Sequence, residues 1–332
     1  MPTIQKDLVL QTLSEFPKAG SRTIADVLVQ RHPRVFKNID SARDRVRHYR
    51  GNKGKRSRRE QAGSALLRPN GAPGKSFPDL PEGITSFDGW GALEIDGPVK
   101  ALILSDVHVP YHDRAAVELA VEQGKGVGLV ILNGDTMDCF ELSKYQPDPR
   151  KCDFIGALGK GRAFIEWLRR KFPKARVIFK EGNHEERLER YFATRAPAVL
   201  GVEEFELRSL LKLDQFDVEW LGEKRPIRLG KLNVIHGHEH RMVFSNPVNP
   251  ARGLFLRAKT HALAGHWHQF SQHSERDIEG KVISTWSTGC LSDLHPAFSV
   301  LNNWSHGAAT VEVSKDGHFH VENFKIIDGR VY

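Results

Sequence analysis

Cysteine is scarce in this sequence: Cys139, Cys152 and Cys290 are the only three among 332 residues. A small, odd number of cysteines argues against a disulfide framework and favours a reducing compartment, so we expect a cytoplasmic protein. The sequence also lacks any run approaching the roughly 20 apolar residues of a membrane-spanning helix. Its first residues lack the apolar segment of a secretory signal. We therefore expect no membrane partner.

Net charge is unevenly distributed along the chain. Residues 1–60 contain fifteen Lys or Arg and six Asp or Glu, a local net charge of +9, whereas the whole chain carries +8. The rest of the sequence is therefore close to neutral, and the basic end is typical of an attachment surface. Composition divides the chain into a helical basic domain at 1–50, a basic Gly/Pro/Ser-rich linker at 51–78 and a larger domain at 79–332.

The basic end has the periodicity of three short helices. The first should end before Pro17, because proline interrupts a helix. The second should be capped by Ser21 or Thr23, and the third by Asp40 or Ser41, because short polar side chains cap helix N-termini.

The third predicted helix is cationic along one face. Three short helices with a basic last helix resemble a helix-turn-helix unit, which places that helix in the major groove of DNA. A solvated helical cap that mediates docking or assembly would have the same pattern. If the unit binds nucleic acid, the phosphate contacts would come from basic residues of the helix and the linker, namely Arg43, Arg47, Arg50, Lys53, Lys55, Arg56, Arg58 and Arg59.

From residue 79 onward, apolar runs alternate with helical patterns. Buried strands are predicted at 101–104, 128–132 and 176–179, with a helix at 154–172. Further strands are expected at 216–221, 227–236, 260–265 and 281–287, and a hairpin at 310–322. Strand–helix alternation followed by strand-rich sequence predicts an α/β (α+β) fold, a two-sheet β-sandwich flanked by helices.

Polar groups follow five of the apolar runs. Asp106 and His108 follow the first, and the two-residue period of an extended chain would place both on one side. A carboxylate beside an imidazole is half of a metal site. Open sheets bind ligands at the carboxyl ends of strands. The remaining groups are Gly134-Asp135-x-x-Asp138, Gly182-Asn183-His184-Glu185, His236-Gly237-His238 and Gly265-His266-x-His268.

These five motifs, in this order, resemble those of the calcineurin-like metallophosphoesterase superfamily, over about residues 99–270. The resemblance implies a site for two divalent cations. One cation would be bound by Asp106, His108, Asp135 and His268, and the other by Asp135, Asn183, His236 and His266. Nitrogen and oxygen ligands without thiolate favour manganese, iron or zinc over calcium, and we expect manganese first.

The same resemblance implies a reaction. A hydroxide shared by the two cations would attack phosphorus in line with the leaving oxygen. His184 would protonate the leaving group and Asp138 would orient its imidazole. His184 could otherwise serve as a hydrogen-bond donor alone. His238 and Arg187 could contact a phosphate oxygen, although Arg187 could equally form a surface ion pair with a neighbouring glutamate.

The residues after Asp138 bear on the substrate. Cys139 and Phe140 stand where the protein serine/threonine phosphatase branch has Arg-Gly, and the Gly-His-x-His ending is similar to the branch with nucleases and phosphodiesterases. We therefore expect a phosphodiesterase or nuclease that the basic domain delivers to nucleic acid. Two alternatives are an esterase for small nucleotides or phosphoproteins, and a DNA-binding regulator or structural component with a vestigial metal site.

Overall fold

A computed structural model describes residues 2–50, 82–83, 90–144, 148–240 and 248–332. The chain divides into two compact units, Met1–Ile84 and Thr85–Tyr332. The predicted linker at 51–78 lies outside the described residues, so its boundaries stay predictions. Among the helices that are described, none has the length and apolar character needed to cross a bilayer.

The described part of the N-terminal unit contains three helices, α1 (Pro2–Glu15), α2 (Ser21–Arg31) and α3 (Ile39–Tyr49). The predicted number and order of helices in this unit are confirmed. Small and aliphatic side chains from all three helices, with one phenylalanine, form its core, made of Val9, Leu13, Ile24, Ala25, Leu28, Phe36, Ala42 and Val46.

The caps predicted for these helices are wrong. Helix α2 follows Gly20, which makes no capping bond through a side chain, and Ser21 is already helical. Helix α3 is capped by Asn38, whose side chain accepts a hydrogen bond from the N–H of Ser41 at 2.7 Å. Asparagine in extended conformation is among the best N-caps, so α3 begins before the aspartate and serine predicted to cap it.

Thirteen strands are described in the second unit. In chain order they are β1 (Leu93–Ile95), β2 (Val99–Leu104), β3 (Leu129–Asn133), β4 (Arg176–Lys180), β5 (Val218–Leu221), β6 (Ile227–Leu229), β7 (Leu232–Ile235), β8 (Ala262–Ala264), β9 (Phe270–Arg276), β10 (Val282–Thr288), β11 (His306–Val313), β12 (Phe319–Ile327) and β13 (Arg330–Val331). The helices are α4 (Arg114–Gln123), α5 (Phe154–Lys171), α6 (Glu186–Arg195), α7 (Leu207–Leu210) and α8 (Pro250–Ala258).

The strands form two mixed sheets. The seven-stranded sheet has the order β13-β12-β11-β2-β3-β4-β5, and its last four strands are parallel. The six-stranded sheet has the order β1-β6-β7-β8-β10-β9, with β7, β8 and β10 parallel. The predicted hairpin near the C-terminus is confirmed as the antiparallel pair β11–β12.

Alternate residues of the central strands face two different cores. Ile103 and Ile131 belong to the core between the sheets, together with Leu229 and Val234 of the other sheet. Leu102, Leu104, Val130 and Leu132 face the opposite way and pack on helices α4 and α5. This alternation buries both faces of the seven-stranded sheet, so the predicted two-sheet sandwich flanked by helices is confirmed.

The single strand predicted at 227–236 is wrong. The segment is a hairpin in which β6 and β7 are antiparallel and Leu229 pairs with Leu232. Two residues, Gly230 and Lys231, form the turn, and Gly230 has a φ of 53°, which glycine adopts without steric cost.

Candidate metal centre

The seven predicted metal ligands lie in loops that follow the carboxyl ends of five strands. Strands β2, β3 and β4 are adjacent and parallel, so their loops emerge at one edge of the seven-stranded sheet. Strands β7 and β8 are parallel neighbours in the other sheet. The ligand residues after these strands are Asp106, His108, Asp135, Asn183, His236, His266 and His268.

Five of these residues have a left-handed backbone conformation. Asp106, His108, Asp135, His266 and His268 have φ values between 50° and 70°. Aspartate and histidine tolerate this region better than most residues, yet each such residue costs about 1–3 kcal/mol. The extended geometry predicted after β2 is therefore wrong. The concentration of strain at the ligand positions instead indicates loops held for a function.

Gly134 is required by the close packing of two of these loops. Its φ is 83°, and a Cβ atom built there would lie 2.5 Å from the His236 ring. Glycine therefore allows the loop after β3 to approach the loop after β7 directly.

The first cluster contains Asp106, His108 and His268, whose donor atoms lie within 4.8 Å of one another. His268 Nε2 lies 3.1 Å from Asp106 Oδ1 and 3.1 Å from His108 Nε2. Two imidazole nitrogens and a carboxylate oxygen thus converge on one point. This is a common donor set for a divalent transition metal.

The second cluster contains Asp135, His236 and His266, whose donor atoms also lie within 4.8 Å of one another. Asp135 Oδ2 lies 3.2 Å from His236 Nε2 and 3.9 Å from His108 Nε2. The Asp135 carboxylate therefore faces both clusters, as a carboxylate shared by two cations must.

Several of the converging atoms have no hydrogen-bond partner among the described residues. Asp106 Oδ1, Asn183 Oδ1 and His236 Nε2 are buried and make no hydrogen bond, although His236 Nε2 lies 3.2 Å from the Asp135 carboxylate. The short approach of His268 to Asp106 does not change this, because it lacks hydrogen-bond geometry. Leaving buried polar atoms unpaired is costly. Because all three atoms belong to predicted ligands, these residues fit a pair of divalent cations.

Hydrogen bonds on the far side of two rings fix their orientation. His108 Nδ1 donates to the Asp138 carboxylate at 2.9 Å, and His236 Nδ1 donates to the carbonyl of Asn133 at 2.9 Å. When neutral, both rings then present the Nε2 lone pair to the cluster, the arrangement typical of metal-binding histidines. The role of Asn133 comes from its main chain, which no sequence motif signals.

The clusters are strongly coupled electrostatically. Burial alone would raise the pKa of the Asp106 carboxyl, but the charges of His268 and His236 lower it to about 2. Burial alone would lower the pKa of His236, but Asp135 and Asp106 raise it to about 10. In the cation-free protein, positive charge on the His236 imidazole thus offsets part of the charge of the buried carboxylates, whereas burial and the His236 charge lower the pKa of His266 to about 4.

A comparison of the sequence with known protein families identifies the family to which the chain belongs. The pattern described as calcineurin-like phosphoesterase matches residues 99–279. The chain belongs to this family. It is therefore a metal-dependent phosphoesterase with a buried His/Asp site for two divalent cations. No protein with a curated description matches the chain.

Three solved structures are similar to this phosphoesterase. A predicted phosphoesterase from Streptococcus pneumoniae TIGR4 is 15% identical, with 68% of this chain and 97% of that chain covered and a TM-score of 0.29. A dimetal phosphatase from Danio rerio is 12% identical, with 66% and 94% covered and a TM-score of 0.30. A cold-active protein-tyrosine phosphatase from a psychrophilic Shewanella species is 12% identical, with 73% and 86% covered and a TM-score of 0.30.

His184 lies beside the metal ligands, with its Nε2 3.7 Å from Asp135 Oδ2 and its side chain partly exposed. Its main-chain N–H donates to Asp135 Oδ1 at 2.9 Å, and its Nδ1 donates to the main-chain carbonyl of Asp138 at 2.8 Å. The Asp138 carboxylate is farther from this nitrogen, at 3.6 Å. Asp138 therefore orients His184 mainly through its carbonyl, whereas the sequence predicted its side chain in that role. The carboxylate serves His108 instead.

Arg187 lies beside His184 on the first turn of α6. One of its nitrogens is 2.8 Å from His184 Nε2, and the other donates to the carbonyl of Asp138 at 2.8 Å. Since a guanidinium cannot accept a hydrogen bond, His184 Nε2 is the acceptor and the ring is neutral in this arrangement. The guanidinium is not in a surface ion pair with a neighbouring glutamate.

Glu185 is a site residue whose role the sequence analysis missed. Its buried carboxylate accepts hydrogen bonds from the N–H groups of Asp135 at 3.0 Å, Met137 at 2.8 Å and Gly182 at 2.8 Å. It therefore binds the loop after β3 to the loop after β4. Burial and the Asp135 charge raise its pKa to about 7. The position of Glu185 in the Gly-Asn-His-Glu motif was the one feature of the sequence that could have indicated this role.

His238 is held at the edge of the site. Its Nε2 lies 3.0 Å from the carboxylate of Glu186, and its ring centroid is 5.2 Å from that of His236. Lys224 reaches the same carboxylate at 3.3 Å. His238 is therefore positioned beside a ligand by a glutamate, and its predicted contact with phosphate stays a prediction.

The predicted nucleic-acid residues of the helical unit differ in their surroundings. Arg43 and Arg47 are exposed on α3. Arg50 is partly buried and donates to the carbonyl of Ala19 at 2.6 Å, which ties the end of α3 to the turn before α2. Its guanidinium therefore helps to hold the unit together. The linker residues Lys53, Lys55, Arg56, Arg58 and Arg59 lie outside the described part of the chain.

Proposed function

We propose that this phosphoesterase hydrolyses phosphodiester bonds of nucleic acid and that manganese is its preferred metal. The main supporting observation is the uneven charge: a nearly neutral catalytic unit is joined covalently to a basic N-terminal segment, residues 1–60, with a net charge of +9. Basic segments attract the phosphate backbone whatever its sequence. Arg43 and Arg47, exposed on α3, would make those contacts.

The chemistry starts from the seven ligand residues. Asp106, His108, Asp135 and His268 would hold one cation, and Asp135, Asn183, His236 and His266 the other. When bound, the cations supply positive charge that activates water for attack and neutralises the phosphate. The Asp138 carboxylate keeps the His108 lone pair directed into the cluster, and the Asn133 carbonyl does the same for His236.

His184 and Arg187 have different roles: Arg187 binds the substrate, and His184 transfers a proton. Arg187 binds a phosphate oxygen once substrate arrives, because a guanidinium forms a stronger bond to phosphate than to a neutral imidazole. This movement frees the lone pair of His184 Nε2, which takes up a proton from solvent and then gives that proton to the leaving oxygen. The carbonyl of Asp138 accepts from Nδ1 throughout and holds the ring in place.

Aromatic side chains near the ligands support a nucleotide substrate. The Trp304 ring lies 4.2 Å from that of His268, and Phe298, 75% exposed, lies 6.1 Å from Trp304. The Tyr111 ring, 43% exposed, lies 6.3 Å from that of Phe140. Exposed rings beside a phosphate site suit stacking with bases on either side of a scissile bond.

The test compares two charge-matched variants of the full chain. Arg43→Gln with Arg47→Gln removes two exposed charges from α3, and Arg22→Gln with Arg34→Gln removes two exposed charges elsewhere in the same unit. Cleavage of duplex DNA, single-stranded DNA and RNA is measured with Mn2+ at several salt concentrations. We expect only the α3 variant to cleave nucleic acid more slowly. In that variant, the slope of the logarithm of cleavage efficiency against the logarithm of salt concentration should be shallower by about two.

Turnover of bis(p-nitrophenyl) phosphate should be the same in both variants, because the metal centre is intact. If the wild-type enzyme hydrolyses this diester but no nucleic acid, the proposed substrate is wrong. An absence of stoichiometric metal and of hydrolysis would instead favour a regulator with a vestigial site.

A further inference from the structure

A second cavity, of about 920 Å³, opens in the catalytic unit away from the metal centre. Its lining includes Lys231 and Asn233 at the start of β7, His261 just before β8, and Phe319 at the start of β12. The metal ligands follow the opposite ends of β7 and β8. The length of these strands therefore separates the cavity from the catalytic site, and no metal ligand lines it.

The cavity is cationic. Arg228, Lys231 and Lys281 line it, and none of its described lining residues is acidic. Arg228 pairs with Glu94 at 2.8 Å, whereas Lys231 and Lys281 form no ion pair with any described residue. Lys231 Nζ instead lies 3.1 Å from His318 Nε2. The carboxylate of Asp316 lies on this side, 3.6 Å from the same His318 nitrogen. Two ammonium groups that form no ion pair with a described residue, in one concave surface, attract an anion.

The same cavity contains three flat rings. Phe319 contacts the other two, with its centroid 5.1 Å from His261 and 6.1 Å from Trp286, in edge-to-face contacts of 77° and 79°. All three rings are partly exposed. His261 Nδ1 accepts the N–H of Ser284 at 3.2 Å, so its Nε2 is the ring's N–H donor when the ring is neutral.

We infer that this cavity is a second, non-catalytic site for a nucleotide, in which Lys231 and Lys281 bind the phosphate and Trp286 and Phe319 contact the base. Phosphate alone would leave the rings unused, and an apolar ligand would leave the ammonium groups unused. A nucleotide combines an anion with an aromatic ring and matches both halves of the lining. The ligand is either a free mononucleotide or one nucleotide of a strand.

The experiment measures binding of 5′-AMP and of an oligodeoxyadenylate to the full-length protein by isothermal titration calorimetry. EDTA is present, so that phosphate cannot bind through cations at the catalytic site. We expect Lys231→Gln with Lys281→Gln to weaken binding by about tenfold or more, the effect of losing charge-assisted contacts. The matched control, Lys125→Gln with Lys174→Gln, removes two exposed charges elsewhere in the unit and should change affinity less than about twofold.

Two further measurements test the aromatic half of the site. Phe319→Leu should weaken AMP binding and leave binding of inorganic phosphate unchanged. The ligand that loses more affinity in the Lys231/Lys281 variant, AMP or the oligonucleotide, identifies the source, because contacts of the oligonucleotide with α3 are unchanged in that variant. The inference is overturned if neither ligand loses affinity selectively in the Lys231/Lys281 variant, or if inorganic phosphate binds as tightly as AMP.

Discussion

Lys180 and Glu239 form a buried ion pair, with the ammonium nitrogen 2.8 Å from a carboxylate oxygen and the lysine side chain fully enclosed. The ammonium has no hydrogen bond of good geometry, so charge holds the pair. The Glu239 carboxylate also accepts N–H groups from His236 at 3.0 Å and Gly237 at 2.6 Å. Burial would raise the pKa of Glu239, but the Lys180 charge keeps it well below its usual range. Since Lys180 ends β4, the pair joins the loop of Asn183 to the loop of His236.

Lys180→Met should destabilise the protein by about 3–5 kcal/mol, because it leaves the Glu239 carboxylate buried without a counter-charge. Cation affinity should fall as well, since the carboxylate that fixes the His236 loop is no longer anchored. Urea unfolding and calorimetric titration with Mn2+ measure the two effects. Adding Glu239→Gln to the variant should restore part of the lost stability.

The control for this variant is Lys100→Met. Lys100 pairs with Glu312 at 2.7 Å, but both side chains are exposed and screened by solvent, so the loss of stability should be far smaller than that of Lys180→Met. Equal stability of the two methionine variants would contradict a structural role for the buried pair.

Asp138→Ala should reduce cation affinity by about 10–100-fold, because it removes the acceptor that orients His108. His184 should keep its position, since it is held by the main-chain carbonyl of residue 138. High concentrations of Mn2+ should therefore restore much of the activity. If turnover stays low at saturating Mn2+, the carboxylate acts on His184 instead. Asp138→Asn keeps an oxygen acceptor and should lose less affinity.

His184→Ala should slow hydrolysis of substrates with poor leaving groups by about 10²–10⁴-fold, the usual contribution of a proton donor. A nitrophenyl diester, whose leaving group needs no proton, should be affected far less. Steady-state rates for a nitrophenyl and an alkyl ester provide the comparison. Similar losses for both esters would show that His184 acts on the site's structure.

Arg187→Ala should raise KM for diesters about tenfold or more, because a charge-assisted bond to phosphate is lost. Arg190→Ala is the control on the same helix, since Arg190 is exposed and pairs with Glu186 on the surface. An unchanged KM in the Arg187 variant would show that this side chain does not bind substrate and serves only through its hydrogen bonds to His184 and Asp138.

Cation binding should become tighter as pH rises from about 6.5 to about 10. In the cation-free protein, burial would lower the pKa of His236, but Asp135 and Asp106 raise it from 6.5 to about 10. The protonated ring therefore stabilises the cation-free fold fully below pH 6.5, and this stability is lost as pH rises to about 10. A cation must displace the same proton, so its affinity increases over that window.

The measurement is a Mn2+ titration across this pH range in buffers of different ionisation enthalpy, which counts the protons released. His236→Asn should release fewer protons, whereas His273→Asn, on β9 away from the clusters, should behave as the wild type. Proton-independent binding in the wild type would exclude a protonated His236.

The positions of the strands near the metal centre could be predicted because Val130-Ile131-Leu132 and its neighbours are short apolar runs that end in polar motifs. Helix α4 escaped prediction because its buried residues are small, such as Ala116 and Ala120, and give a weak periodic signal. The hairpin of β6 and β7 escaped because apolar alternation continues through Gly230-Lys231. A two-residue turn preserves that alternation on both sides.

The ligand residues could be predicted from their motifs, but the groups that hold them could not. Asn133 acts through its carbonyl, and the two functions of Asp138 are divided between its carboxylate and its carbonyl. Such assignments depend on differences of under 1 Å between main-chain and side-chain oxygens. Sequence spacing does not determine distances of that size.

The left-handed backbone at Asp106, His108, Asp135, His266 and His268 limits how this enzyme can lose its metals during evolution. A β-branched replacement at any of these positions would remove a ligand and also distort the loop that carries it. An inactive descendant that still folds should therefore have asparagine, aspartate or glycine there, residues that accept the same turn. The backbone conformation of the former metal site would then persist after the metal ligands and the activity had been lost.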